Sequence, residues 1–297
     1  MSVASSPTRG IARAGPLLTL AAAGLILVGS GCRSFDGTTT SYAAPRTTQP
    51  PRVVEWQARD YSYEAPETLP SGWVTIRMSN HGPEPHHGQL LRLNDGVTFE
   101  AFSQALQQEG EASLRMTTLV GGPAAIDAHR TDEVTLDLKP GSYVIACFVS
   151  SPDGALHLEK GMIKPIEVSA ADASDAMPPV ARGTFTMRDF SFEMPESIPA
   201  GRSTYKVTNV GPQPHELVVV KIGEGKTVQD VMAWYRTPSG PPPFESVGGI
   251  NGLSLGGSGF MTLDLQPGAY AAVCLIPDPA SGLPHLHLGM VKEFTVR

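Results

Sequence analysis

Residues 60–87 read DYSYEAPETLPSGWVTIRMSNHGPEPHH, and residues 189–216 read DFSFEMPESIPAGRSTYKVTNVGPQPHE. The two stretches keep Asp, the aromatic pair around Ser, the Pro and Gly positions and the terminal Pro-His in one register, so the chain carries an internal duplication. A repeat of this kind sets the reading of the fold before local detail does. Within the stretches Val74, Ile76 and Met78 alternate with polar residues, as do Tyr205 and Val207, which is the period of a half-buried strand. A second matched pair lies further on, LDLKPGSYVIACF at 136–148 and LDLQPGAYAAVCL at 263–275. Each half is therefore expected to be an antiparallel Greek-key β-sandwich, which makes the chain all-β with two tandem domains. One short helical insertion is expected in each: Thr98 to Gln107, and Thr227 to Tyr235, where Thr227 and Asp230 fit a capping box.

Composition agrees with many short strands. Glycine (31) and proline (27) punctuate runs rich in Val, Ile, Thr and Tyr, and charged residues make up only 17% of 297. The net charge is −7, with no basic cluster after Arg13, so nucleic acid is not expected as a partner, since phosphate recognition needs a concentrated Lys/Arg surface. The length exceeds what one ordinary core requires. The expected division is residues 53–168 and 182–297 for the two domains, with 169–181, rich in Ala, Asp and Ser and containing Pro178 and Pro179, as a linker.

The first 32 residues read as a targeting segment. Arg9 and Arg13 precede an apolar stretch of 12 residues from Leu17 to Val28, and Gly29, Ser30 and Gly31 lead into Cys32. This resembles a bacterial lipoprotein signal, in which the Cys is acylated and becomes the new N-terminus; it departs from that pattern at Gly29, where Leu is preferred. An ordinary secretory signal is the alternative, and the apolar run is shorter than the ~20 residues that span a bilayer. Either reading places the mature chain outside the cytoplasm, with the membrane a partner through the lipid on Cys32. Residues 33–52, rich in Thr, Ser and Pro, are expected to be a flexible tether.

Four potential donors recur in order: His86, Cys147, His157 and Met162, then His215, Cys274, His285 and Met290, at offsets of 129, 127, 128 and 128 residues. Two imidazoles, a thiolate and a thioether are the ligand set of a type 1 copper site. Tyr143, Ile145 and Cys147 share one face of a strand, as do Tyr270, Ala272 and Cys274, so each Cys is expected to point inward near a strand end. Asn80 and Asn209 are expected to tie the two ligand turns of each site together.

The motifs N-x-G-P-x-P-H (80–86 and 209–215), P-G-x-Y-x-x-x-C (140–147 and 267–274) and H-x-x-x-G-M (157–162 and 285–290) resemble the ligand-bearing segments of plastocyanin-type cupredoxins. The resemblance implies copper as cofactor, with His86 and His215 as first imidazoles, Cys147 and Cys274 as thiolates, His157 and His285 as second imidazoles, and Met162 and Met290 as axial ligands. It departs in two places. Nine and ten residues separate Cys from the second His, a span closer to the loop of copper nitrite reductases, and His87 or Glu216 follows the first ligand where plastocyanins usually have Asn.

Singly, each donor has a plainer reading: an inward Cys is most often a small buried hydrophobe, a His after Pro caps a turn, and Gly-Met precedes a core strand. A fold that has kept its donors but lost its metal is the serious competitor to copper binding. His81 and His87 crowd the first site, His129 reads as solvent-exposed, and His287 alternates with His285, whose spacing to Met290 favours His285. Cys147 and Cys274 sit at equivalent positions in two cores, which argues against a disulfide between them.

Two-domain copper enzymes, as the resemblance implies, place histidines beside the Cys to feed a second copper centre. Here Ala146 and Phe148 flank Cys147, while Val273 and Leu275 flank Cys274. No other catalytic motif is present. The sequence therefore leads to the expectation of a lipid-anchored copper protein that is not an enzyme, transferring single electrons with a redox protein as partner or handling copper. The alternative is a metal-free structural or ligand-binding lipoprotein of the same fold.

Overall fold

The structure, a computed structural model, describes residues 49–173 and 175–297. The signal segment, Cys32 and nearly all of the expected tether lie outside the described residues. Strand periodicity in the sequence translates into pairing. The first half contains β1 (Arg52–Arg59), β2 (Ser62–Glu64), β3 (Thr68–Pro70), β4 (Gly72–Asn80) and β5 (Gln89–Leu93). It continues with β6 (Thr117–Leu119), β7 (Thr131–Leu138), β8 (Gly141–Ala146) and β9 (Ile163–Ser169). The second half repeats the series as β10 (Thr184–Arg188), β11 (Ser191–Glu193), β12 (Ser197–Ile198), β13 (Gly201–Asn209) and β14 (His215–Ile222). It ends with β15 (Phe244–Leu253), β16 (Ser258–Leu265), β17 (Gly268–Val273) and β18 (Val291–Val296). β1 thus begins on the last residue of the expected tether.

The all-β sandwich is as expected, and its edges add parallel pairs: β1 with β4 and β10 with β13 in one layer, β3 with β9 and β12 with β18 in the other. How the halves join is not anticipated by the sequence pattern. β16 pairs antiparallel with β7, and this fuses one layer of each half into an eight-stranded sheet of order β11-β10-β13-β16-β7-β4-β1-β2. Two five-stranded sheets, β3-β9-β8-β5-β6 and β12-β18-β17-β14-β15, cover it.

The order is palindromic because the halves are related by a pseudo-twofold axis. Met261 pairs with Val134, its own repeat mate, and the bridge from Val120 to Leu253 maps onto the bridge from Ile126 to Val247 when each residue is exchanged for its counterpart. A self-complementary contact of this kind is what a homodimer makes about a twofold axis. Side chains at the join have diverged: Trp73 meets Phe260 edge to face at 5.4 Å, whereas their counterparts Arg202 and Glu133 form an ion pair at 2.6 Å.

One large apolar cluster runs between the layers and contains Tyr143, Ile145 and Cys147 together with Tyr270, Ala272 and Cys274. The intervening Val144 and Ala146, and Ala271 and Val273, face away into two smaller clusters under the helical insertions. The inward orientation expected of both cysteines follows from this alternation. Helix α1 (Phe99–Glu109) starts at Thr98, whose side chain accepts from the Ala101 amide, and α2 (Val228–Arg236) has the full capping box between Thr227 and Asp230. Both begin where the caps in the sequence place them. Two 3₁₀ turns carry no such signal: Gly110–Met116, and His285–Leu288, which holds a candidate ligand.

Candidate metal centres

Each centre is built from three places in the chain. The first imidazole comes from the Asn-x-Gly-Pro-x-Pro-His turn. In that turn Asn80 accepts the Gly82 amide at 2.8 Å through Oδ1 and donates through Nδ2 to the carbonyls of Glu84 (2.8 Å) and Ile126 (3.1 Å). Asn209 does the same with Gly211, Gln213 and Leu253. These asparagines shape the first ligand turn and fasten it to the neighbouring segment; they do not reach the second ligand turn, which corrects the role expected for them. Gly82 and Gly211 are dictated by close approach. A Cβ on Gly82 would lie 2.3 Å from Asp60 Oδ1 and 2.7 Å from His86 Nε2, and one on Gly211 would lie 2.5 Å from Asp189 Oδ1 and 2.8 Å from His215 Nε2.

Cys147 follows the last residue of β8 and Cys274 the last residue of β17. The Cys147 amide donates to the Met162 carbonyl, and the Met162 amide to the His157 carbonyl; Cys274, Met290 and His285 repeat both bonds. The backbone therefore closes the Cys-to-Met loop on itself in both halves, even though its lengths differ. The tie between the first ligand turn and the Cys strand comes from the residue after the first ligand. His87 Nε2 accepts the Phe148 amide at 2.6 Å, and Glu216 Oε1 accepts the Leu275 amide at 2.9 Å. Two unlike side chains thus do one job.

The candidate donors converge. His86 Nδ1 lies 3.0 Å from His157 Nδ1, which is 3.5 Å from Cys147 Sγ; in the second half the same separations are 3.0 Å and 3.4 Å for His215, His285 and Cys274. All three donor atoms of each group fall within 4.8 Å of one another, and all six residues are completely buried. Met162 and Met290 are also completely buried and belong to the same core cluster as the cysteines. His287, the rival of His285, is not part of the triad.

The outer nitrogens decide the chemistry. His86 Nε2 contacts Asp60 Oδ1 at 2.5 Å and His157 Nε2 contacts Glu84 Oε2 at 2.9 Å; His215 Nε2 contacts Asp189 Oδ1 at 2.7 Å and His285 Nε2 contacts Gln213 Oε1 at 2.9 Å. Every one of these partners is an oxygen acceptor, so each imidazole keeps its proton on Nε2 and turns the Nδ1 lone pair inward. Burial lowers the pKa of His86 against the pull of Asp60, lowers that of His215 against Asp189, and takes His285 down to about 4, with the neighbouring His215 adding to the effect. Neutral imidazoles are what a metal needs. Burial also pushes the Cys147 thiol up to about 12 and the Cys274 thiol well above its ordinary value, so binding must expel a proton from each. Facing lone pairs about 3 Å apart, beside a sulfur, match donors that each stand about 2 Å from one ion, and an N₂S set with a thioether in the same cluster fits copper.

Among the described residues Cys147 and Cys274 are free, in keeping with the argument against a disulfide. The outer oxygens at 60, 84, 189 and 213 are functional positions that sequence reasoning misses. The repeat marks these positions without their role: Asp60 and Asp189 open the matched stretches, and Glu84 and Gln213 stand two residues before the ligand candidate.

No family model matches the chain, and no curated protein does. Among solved structures, reduced auracyanin from Roseiflexus castenholzii aligns with 39% of this chain and 95% of its own at 22% identity and a TM-score of 0.29. A multicopper oxidase aligns with 84% and 92% at 15% identity and a TM-score of 0.28. The copper-containing nitrite reductase of Thermus scotoductus aligns with 82% and 61% at 12% identity and a TM-score of 0.23. The expectation that the chain is not an enzyme is corrected: the multicopper oxidase and the nitrite reductase, whose alignments extend over both halves, are enzymes.

Proposed function

We propose that this chain is an exported, lipid-anchored protein of two cupredoxin-like domains, 53–168 and 182–297, that binds copper in two type 1-like sites and serves one-electron transfer. The observation that carries the reading is the pair of buried His-Cys-His triads, in each of which two Nδ1 atoms meet beside the Cys sulfur. His86, Cys147 and His157, with Met162 as axial donor, would hold copper in the first site; His215, Cys274 and His285, with Met290, would hold it in the second. Copper would supply a one-electron couple. The chain's contribution is to hold the donors still: outer oxygens lock the imidazoles and backbone bonds lock the Cys-to-Met loop, so little has to rearrange when the charge of the ion changes.

Electron transfer is favoured over copper handling because all eight donors are buried, and release to a carrier would require the ligand loop to open. A redox protein is the partner this reading implies. The lipid anchor rests on the sequence around Cys32, and no helix among the described residues is long and apolar enough to cross a membrane.

Metal analysis and a visible spectrum of the copper-treated full-length protein test the proposal. Two copper ions per chain and a strong thiolate-to-copper band are expected, with Cys147→Ser and Cys274→Ser each removing one ion and part of the band. A band that survives the double substitution would overturn the ligand assignment.

A further inference from the structure

The two centres have the same donors and the same Asp behind the first imidazole, but differ behind the second. His157 Nε2 meets the carboxylate of Glu84, and His285 Nε2 meets the amide oxygen of Gln213, both at 2.9 Å. We propose that this exchange sets the reduction potentials of the two centres apart, with Glu84 holding the first site lower than Gln213 holds the second; the inference rests on the copper reading above.

A carboxylate acceptor draws the Nε2 proton toward itself and leaves more electron density on Nδ1, which makes the imidazole a stronger donor and stabilises the higher charge of the metal. It also places a full negative charge beside a buried site, where screening by water and salt is weak. An amide oxygen polarises the ring but carries no net charge. Glu84 is held at both of its oxygens, with Oε2 standing 2.9 Å from His157 Nε2. Its second oxygen accepts from Tyr61 at 2.9 Å, and Lys160 Nζ lies 3.2 Å from the same phenol oxygen. In the second half Phe190 replaces Tyr61 and Leu288 replaces Lys160, so nothing there is arranged to support a charge at position 213. Instead Gln213 donates through Nε2 to Asp278 at 3.0 Å, which aims its oxygen at His285. Glu216, a buried carboxyl that follows a ligand of the second site, and Asp278, whose carboxylate stands one hydrogen bond behind Gln213, work in the opposite sense, and the test must remove each of them.

Copper-loaded Cys274→Ser reports the first site alone and Cys147→Ser the second, each by spectroelectrochemical titration of its thiolate band. The first site should have the lower potential, with the gap widened when Glu216→Gln and Asp278→Asn are added to the second-site protein. Glu84→Gln should raise the first-site potential enough to change the reduced-to-oxidised ratio about tenfold, about 59 mV for a one-electron couple. Gln213→Glu combined with Asp278→Asn, which avoids facing two carboxylates, should lower the second-site potential below that of Asp278→Asn alone. Bands present with potentials that neither substitution moves would overturn this inference and leave copper binding standing. Absence of a band from both single-site proteins would overturn the copper reading and this inference with it.

Discussion

The inner surfaces of the two centres agree to within 0.1 Å in the separations of their donors, whereas their outer surfaces share little. Asp60 and Asp189 are alike, but Tyr61 corresponds to Phe190, Glu84 to Gln213, His87 to Glu216 and Lys160 to Leu288. The lesson is one of tolerance. An inner position must supply a particular lone pair at a particular distance inside a close-packed core, where a change of element or length cannot be absorbed. An outer position must only accept a proton or an amide, and Glu or Gln, His or Glu, can each do that.

The strongest way to break the comparison is to attack what both centres need. Gly82→Ala should displace Asp60 and His86, abolish copper uptake at the first site while sparing the second, and cost about 1–3 kcal/mol of stability as overpacking does. Gly211→Ala should do the reverse. Metal stoichiometry and denaturant unfolding of the two variants check this, and equal copper retention in both would show that the close approach is not required.

The join between the halves offers a second contrast. Asp132 is buried there, accepting the amides of Ala124 at 2.8 Å and Gly249 at 3.2 Å, while its counterpart in the repeat is Gly259. Burial pushes the Asp132 carboxyl up to about 7 against the pull of those amides and that of Glu133. A carboxyl with a raised pKa binds more protons folded than unfolded, so its contribution to stability is present below the unfolded value near 4 and is lost as pH rises to about 7. Metal-free protein should therefore lose stability over that window with a slope approaching about 1.4 kcal/mol per pH unit from this group. Asp132→Asn should flatten the slope, as read from urea unfolding at pH 5 and pH 7; an unchanged slope would assign it elsewhere.

The smallest expected effect sharpens the comparison. Tyr61→Phe makes the outer surface of the first site resemble that of the second and should cost about 1 kcal/mol through the lost contact with Glu84. Phe190→Tyr, which has Gln213 in place of Glu84 and Leu288 in place of Lys160, should bring no matching gain. Denaturant midpoints of the two variants decide the matter; equal shifts would mean that the phenol is not integrated with Glu84 as its contacts suggest.

Much of the site is legible in the amino-acid sequence. The residues that converge in each half, the inward strand faces of both cysteines and the helix starts at Thr98 and Thr227 all depend on residues close in sequence or on a repeated pattern. Asn80 reads as a bridge between two ligand turns because both are motif-bearing, but its amide spans only the four residues to Glu84 and the adjacent Ile126 carbonyl. The non-enzymatic expectation rests on the residues flanking each Cys, which are local evidence about a question that local evidence does not close.

The amino-acid sequence by itself determined the duplication, the all-β sandwich and the order of nitrogen, sulfur and nitrogen donors, because periodicity and ligand identity are written residue by residue. Only the tertiary structure decided that β7 and β16 join the halves into one sheet about a pseudo-twofold axis, and that Asp60, Glu84, Asp189 and Gln213 stand behind the imidazoles. The reason is physical. Strand pairing between halves and the aim of an Nε2 proton are settled by whichever distant backbone and oxygen arrive within about 3 Å once the core has closed, and no spacing along the chain encodes that arrival.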